Sequence, residues 1–245
     1  MLGYRLMVGQ RILIPSVLVR VQVPQPNHID WICTVTKTVI LWDWDNTLAD
    51  TFEAIFTAQN VMRRSYNLPE WTRQEAKNAM NASGRRLISD LVGEDKADEA
   101  RQIYLSAYRQ NADKISLKEG AFDVLKKSKE LGYINILASN KTGSVLRQEA
   151  EILNVYQFFD RILGAHDALE DKPSKIFTDK ALAGFSFEKL YSIGDGKSDM
   201  KMARHYKNAS AILVWTNPQS AEFKDDKPDY AFDDLTAVSD FLEKK

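Results

Sequence analysis

The sequence predicts a doubly wound, parallel α/β sheet with an all-helical unit inserted after its first strand. Three observations point there. Short apolar, β-branched runs recur along the chain, as expected of strands buried on both faces. Helical patterns lie between those runs, and strands alternating with helices imply a parallel sheet. Residues 52–118 break the alternation with helical stripes alone.

In chain order, "KTVILW" (37–42) is the first strand run. Phe52, Ile55, Phe56, Met62 and Tyr66 then follow a helical stripe, as do Ala100, Ile103, Tyr104, Ala107 and Tyr108. No convincing strand appears between residues 52 and 118, so this stretch reads as a helical cap. "YINILAS" (133–139) resumes the sheet. Leu146, Ala150 and Leu153 share one helix face, and "DRILG" (160–164) is a weaker strand run. Ile176 and Phe177 open a further helix, before the runs "KLYSIGD" (189–195) and "SAILVW" (210–215). The expected core is therefore 37–51 with 119–245. Residues 1–36 stand apart. They carry Arg5, Arg11 and Arg20 against one acid, Asp30, and are interrupted by Pro15, Pro24 and Pro26. A targeting segment, a peripheral strand and upstream DNA read as protein are the three readings. The third is favoured, because "VRVQVP" is similar to a transfer-RNA gene read as coding sequence. No chemistry is expected there.

The chain has 245 residues and is 44% hydrophobic, enough for one large α/β domain or a core plus a smaller insertion. With 33 basic and 34 acidic side chains, the balance gives no general pull toward nucleic acid or membrane. The one cysteine, Cys33, cannot form an internal disulfide, which suits a reducing, cytoplasmic compartment. No apolar run approaches the roughly 20 residues that span a bilayer. The sequence leaves the oligomeric state open.

Ligands of open α/β sheets bind beyond the carboxyl ends of the strands. There the sequence offers Asp43, Asp45 and Thr47, then Ser139 and Asn140, then Lys172 in "EDKPSK", then Asp195 and Asp199 in "GDGKSD". Four acids on one edge need a cation, and hard oxygen ligands without His or Cys suit magnesium. Hydroxyls and a lysine beside that ion suit a phosphate.

The order DxDxT, strand-terminal Ser/Thr, Lys-Pro and GDxxxD resembles the haloacid dehalogenase-like (HAD) superfamily. "DWDNT", "LASNK", "DKPSKIFTDKAL" and "IGDGKSDM" look like its four motifs in order, and the resemblance covers residues 37–245. It implies a Rossmann-like core with the all-helical cap of the phosphoglycolate phosphatase-like branch. It also implies a phosphatase acting on a small phosphorylated metabolite through an aspartyl-phosphate. An acid at Asp45 favours phosphoryl transfer over dehalogenation. By the same resemblance Asp43 is the nucleophile, and Asp45 is the acid/base, whose main-chain carbonyl also binds metal. Asp195 and Asp199 complete the Mg2+ site. Thr47, Ser139, Lys172 and backbone donors near Asn140 hold the phosphoryl oxygens.

Plainer readings compete. Asp43 and Asp45 could cap a turn, and Ser139–Asn140 could cap a helix. Lys175 rivals Lys172. Arg85 and Arg86 in "SGRRL" could touch substrate or lie exposed. His166 and His205 read as surface or structural. "GKS" in "GDGKSD" is no P-loop, since Tyr191 stands where the first glycine belongs. A phosphomutase of the β-phosphoglucomutase type and a catalytically silent binding protein are the alternative functions.

Overall fold

The computed structural model describes residues 37–79 and 84–245, so the readings of residues 1–36 concern a segment outside the described residues. The chain enters through β1 (Thr38–Trp42) and a two-residue strand, β2 (Ala49–Asp50). Four helices follow: α1 (Phe52–Ser65), α2 (Arg73–Ala79), α3 (Gly84–Val92) and α4 (Ala97–Arg109). A second short strand, β3 (Ser116–Leu117), pairs antiparallel with β2. The expectation of no strand between residues 52 and 118 is corrected by β3. Two residues are too short to show a period of two, and only the pairing with β2 defines them.

From there strands and helices alternate: α5 (Ala121–Glu130), β4 (Ile134–Thr142), α6 (Gly143–Ile152), β5 (Arg161–Ala165) and α7 (Lys175–Leu182). Then come β6 (Lys189–Gly194), α8 (Lys197–Ala203), β7 (Ala209–Val214), β8 (Tyr230–Phe232) and α9 (Leu235–Glu243). The main sheet has the order β5-β4-β1-β6-β7-β8 with every pair parallel.

The side-chain period of a strand explains the two-sided core. Ile40 and Trp42 of β1 point to the layer holding α5, α6 and α9, where they meet Leu125, Leu146 and Val238. Val39 and Leu41 point to the opposite layer and Phe177 and Leu182 of α7. One buried polar group crosses this pattern. Asn135 is fully buried, and its Oδ1 accepts from Trp42 Nε1 at 3.0 Å and Ser128 Oγ at 2.6 Å. Those bonds meet the requirement that a buried amide be paired. Among the described residues no helix is long and apolar enough to cross a membrane.

Candidate active site

β1 lies between β4 and β6, and all three end on one edge of the sheet. Trp42 is level with Leu137 and Ile193, so the next residues, Asp43, Ala138 and Gly194, come out side by side. Asp43 has just left the strand, and its N–H still donates to Ile193 O at 2.9 Å. Asp195 follows Gly194, and Asp199 stands in the first turn of α8. A Cβ on Gly194 would lie 2.1 Å from Asp199 Oδ2, so only glycine lets that carboxylate close under the strand end. Lys172 comes from the loop between β5 and α7, which His205 braces through a 2.7 Å contact of Nε2 with Pro173 O.

The centre is a buried charge cluster. Lys172 Nζ donates to Asp43 Oδ1 at 2.6 Å, Asp199 Oδ1 at 2.7 Å and Ala138 O at 2.9 Å, which uses all three of its protons. Lys175 instead pairs with Asp179 one turn along its own exposed helix face. Thr47 Oγ1 donates to Asp43 Oδ2 at 3.1 Å. A cavity of about 40 Å³ adjoins the cluster, lined by Asp43, Asp45, Ser139, Lys172, Asp195 and Asp199.

The acids outnumber the cation. Burial drives the Asp43 carboxyl up to about 7; Lys172 opposes the rise, and Asp199 and Asp45 add to it. Asp195 is also pushed well above the carboxylate range, by burial and then by Asp43 and Asp199. Burial alone would lower the Lys172 ammonium, but Asp199 and Asp43 overcome that and hold it above the usual lysine range. Oxygens of Asp43, Asp195 and Asp199 lie within 4.8 Å of one another. The Asp195 carboxylate accepts no hydrogen bond among the described residues. Three carboxylates with one lysine, no thiolate and no imidazole fit a hard divalent cation.

Asp45 belongs to a second network. Its Oδ1 accepts from Lys141 Nζ at 2.7 Å and Thr51 Oγ1 at 2.6 Å. Lys141 also donates to Glu149 Oε2 and Tyr108 Oη, both at 2.7 Å. Glu149 Oε2 accepts from Trp44 Nε1 at 2.7 Å. The Asp45 carboxylate is thus turned away from the three-acid cluster toward Lys141, while Asp45 still lines the cavity. Sequence reading missed Lys141, Glu149 and Tyr108. Lys141 ends the quoted "LASNK", but nothing in the sequence ties it to a glutamate two helical turns on or to a tyrosine of α4.

The remaining expected residues differ in their fit. Ser139 lines the cavity, and its Oγ accepts from Lys141 N at 3.1 Å. It lies within β4, and the residue before α6 is Thr142, so the helix-cap reading of Ser139–Asn140 is corrected. Asn140 Nδ2 donates to Lys172 O at 3.3 Å, and its Oδ1 is buried without a partner. Thr47 is fully buried behind Asp43 and is absent from the cavity lining, so its hydroxyl orients Asp43. Arg85 and Arg86 fall in the first turn of α3, and their side chains lie outside the described residues.

The sequence profile of haloacid dehalogenase-like hydrolases matches residues 40–213. The chain belongs to this family. Among its relatives, a phosphoglycolate phosphatase of Nitrosococcus oceani is 26% identical over 83% of this chain and 96% of its own. The pyrophosphatase PpaX of Bacillus velezensis is 23% identical over 84% of this chain and 94% of its own. Two solved structures share the fold. A haloacid dehalogenase-like hydrolase from Streptococcus pneumoniae superposes with TM-score 0.69 at 24% identity, over 85% of this chain and 99% of that one. A hydrolase from Pseudomonas syringae gives TM-score 0.72 at 18% identity, over 85% and 98%.

Proposed function

We propose that this enzyme is a magnesium-dependent phosphatase that hydrolyses a small phosphomonoester through a phosphorylated Asp43. One observation carries the reading: Asp43 is held by Lys172 and Thr47 at the wall of a small polar cavity, with Asp45 on the same wall. Relatives named phosphoglycolate phosphatase and pyrophosphatase support phosphoryl hydrolysis as the reaction class.

The Asp43 carboxylate attacks phosphorus as the ester oxygen leaves, and Asp45 gives that oxygen a proton. Asp45 then takes a proton from water, which attacks the same phosphorus and releases Asp43. Lys172, Ser139 and backbone N–H groups near Asn140 hold the phosphoryl oxygens, so most of the rate comes from position and charge. Asp43, Asp195, Asp199 and the main-chain carbonyl of Asp45 would hold Mg2+, which when bound neutralises charge on the phosphoryl group. Lys141 and Thr51 both donate to Asp45 Oδ1 and hold its carboxyl at the cavity wall. Helices α1–α4 act as the cap, joined to the core through β2 and β3, and cap closure shields the reaction from bulk water.

The test is release of phosphate from 4-nitrophenyl phosphate by the purified protein. Turnover should require Mg2+, stop with chelator and recover poorly with calcium, whose longer, looser coordination misplaces Asp43. Full activity in chelator overturns the metal assignment. Transfer of phosphate to a sugar in place of release would identify a mutase.

A further inference from the structure

A second cavity, of about 120 Å³, opens beside the first and shares Asp45 and Asn140 with it. It lies where the helical insertion meets the core, and its walls include Ile55, Trp71, Tyr104, Tyr108 and Val145. Where the first cavity is ringed by carboxylates and a lysine, this one is largely apolar and aromatic.

Its aromatic wall is deliberately held. Trp71 follows α1 in a loop, and Asn60 of α1 grips the Trp71 backbone twice. Asn60 Nδ2 donates to Trp71 O at 3.1 Å, and Trp71 N donates to Asn60 Oδ1 at 2.8 Å. The Arg63 guanidinium lies 4.7 Å from the Trp71 ring centre, and Arg63 Nε donates to Pro69 O of the same loop. Asn60 and Arg63 are both buried. Two buried polar side chains therefore fix one half-buried tryptophan, which on a free surface would need no such support.

The same wall carries an unanswered acceptor. Gln59 is 6% exposed, and its Oε1 is buried without a hydrogen-bond partner. Leaving such a group unpaired costs about 1–3 kcal/mol, so an occupant that donates to it would be favoured. Lys141 holds Asp45 and Glu149, and Arg101 pairs with Asp98. Asp98 is almost fully exposed, so Arg101 can exchange it for another anion at little cost. The size also selects. A cavity of about 150 Å³ lined by apolar side chains accepts benzene, so this one has room for a single ring.

We propose that the leaving group housed in this cavity is a single-ring aromatic alcohol with one hydrogen-bond donor. The ring packs on Trp71 and the donor reaches Gln59 Oε1. The inference rests on the phosphomonoester reading and narrows it to esters of aromatic alcohols.

The experiment compares kcat/KM for benzyl phosphate, 3-hydroxybenzyl phosphate, ethyl phosphate and phosphoglycolate with Mg2+. Benzyl phosphate should exceed both ethyl phosphate and phosphoglycolate by about tenfold or more, the scale on which apolar pockets discriminate. Trp71→Ala should collapse the benzyl-to-ethyl ratio to within about threefold, since the ring contact supplies it. Gln59→Leu should erase the advantage of 3-hydroxybenzyl over benzyl phosphate and keep the benzyl-to-ethyl ratio. If Trp71→Ala does not fold, Ile55→Phe, which fills the cavity, should invert that ratio. Preference for phosphoglycolate, or a Trp71→Ala ratio equal to wild type, overturns the subsite. If no ester is turned over, 4-nitrophenyl phosphate included, the phosphatase reading fails. Calorimetry then decides the subsite alone: benzylphosphonate binding no tighter than ethylphosphonate overturns it.

Discussion

The two cavities differ in what builds them. The polar one is assembled from the ends of three neighbouring parallel strands, where register leaves little freedom, and Asp43, Lys172 and Asp199 are almost wholly buried. The apolar one is half made of helices α1 and α4 and the Trp71 loop, against Val145 and Lys141 of the core. Sheet register is shared by every strand, so a shift at one strand end disturbs the whole ladder. Among the described residues the helical insertion meets the core through a small apolar cluster, the Lys141–Tyr108 hydrogen bond and the short β2–β3 ladder, and it can vary without that penalty. On the proposed function, chemistry sits at the strand ends and selection on the part able to change.

The sharpest way to break this division is at the two aspartates, which flank Trp44 yet belong to different networks. Asp43→Asn should lower turnover of 4-nitrophenyl phosphate by on the order of 10⁴-fold or more, as removal of a nucleophile does. Asp45→Asn should still form a phosphoprotein from this activated ester and then stall, because water lacks its base. Intact-mass measurement after rapid quench should find the added phosphoryl group in Asp45→Asn and none in Asp43→Asn. An adduct on any residue other than Asp43 would sink the mechanism.

A smaller effect concerns charge in the polar cavity. The Asp43 pKa is raised in the folded protein to about 7 from 3.8. The folded state therefore binds that proton more tightly than the unfolded chain does. Without metal, stability should fall as pH rises from about 4 through about 7, by the linkage of proton binding to folding. Asp195 acts in the same direction. Mg2+ competes with those protons, so its stabilisation should be larger at pH 8 than at pH 5.5. Melting temperatures in chelator and in Mg2+ at both pH values measure this. Asp195→Asn should raise the melting temperature in chelator at pH 8 and remove most of the Mg2+ response. A Mg2+ shift of equal size at both pH values would contradict the account.

The smallest effect tests the seam between the two regions. Tyr108→Phe removes one acceptor of Lys141 and keeps the ring beneath its ammonium, 4.8 Å from the ring centre. The loss of one hydrogen bond is about 0.5–1.5 kcal/mol, which for a chain of this size is a fall of roughly 2–5 °C in melting temperature. A fall beyond about 10 °C would mean that the insertion is held to the core far more firmly than the comparison assumes.

The sequence by itself determined the fold class and the polar residues at the strand ends. Five of the six strands of the main sheet were readable because buried parallel strands are apolar runs, a local signal, and the acids at their ends interrupt that signal visibly. β8 was not, for Tyr230–Phe232 is short and mostly exposed, and neither were β2 and β3. Tertiary structure alone decided between Lys172 and Lys175, which lie three residues apart, one in the loop and one at the start of α7, and only Lys172 reaches Asp43 across 129 positions. It alone turned Asp45 toward Lys141, Glu149 and Tyr108, and it alone brought Gln59 and Trp71 to the lining of one cavity. Periodicity records which side of an element is buried. Which distant side chain a charged or polar group meets there depends on how elements from separate parts of the chain pack, and no local pattern encodes that.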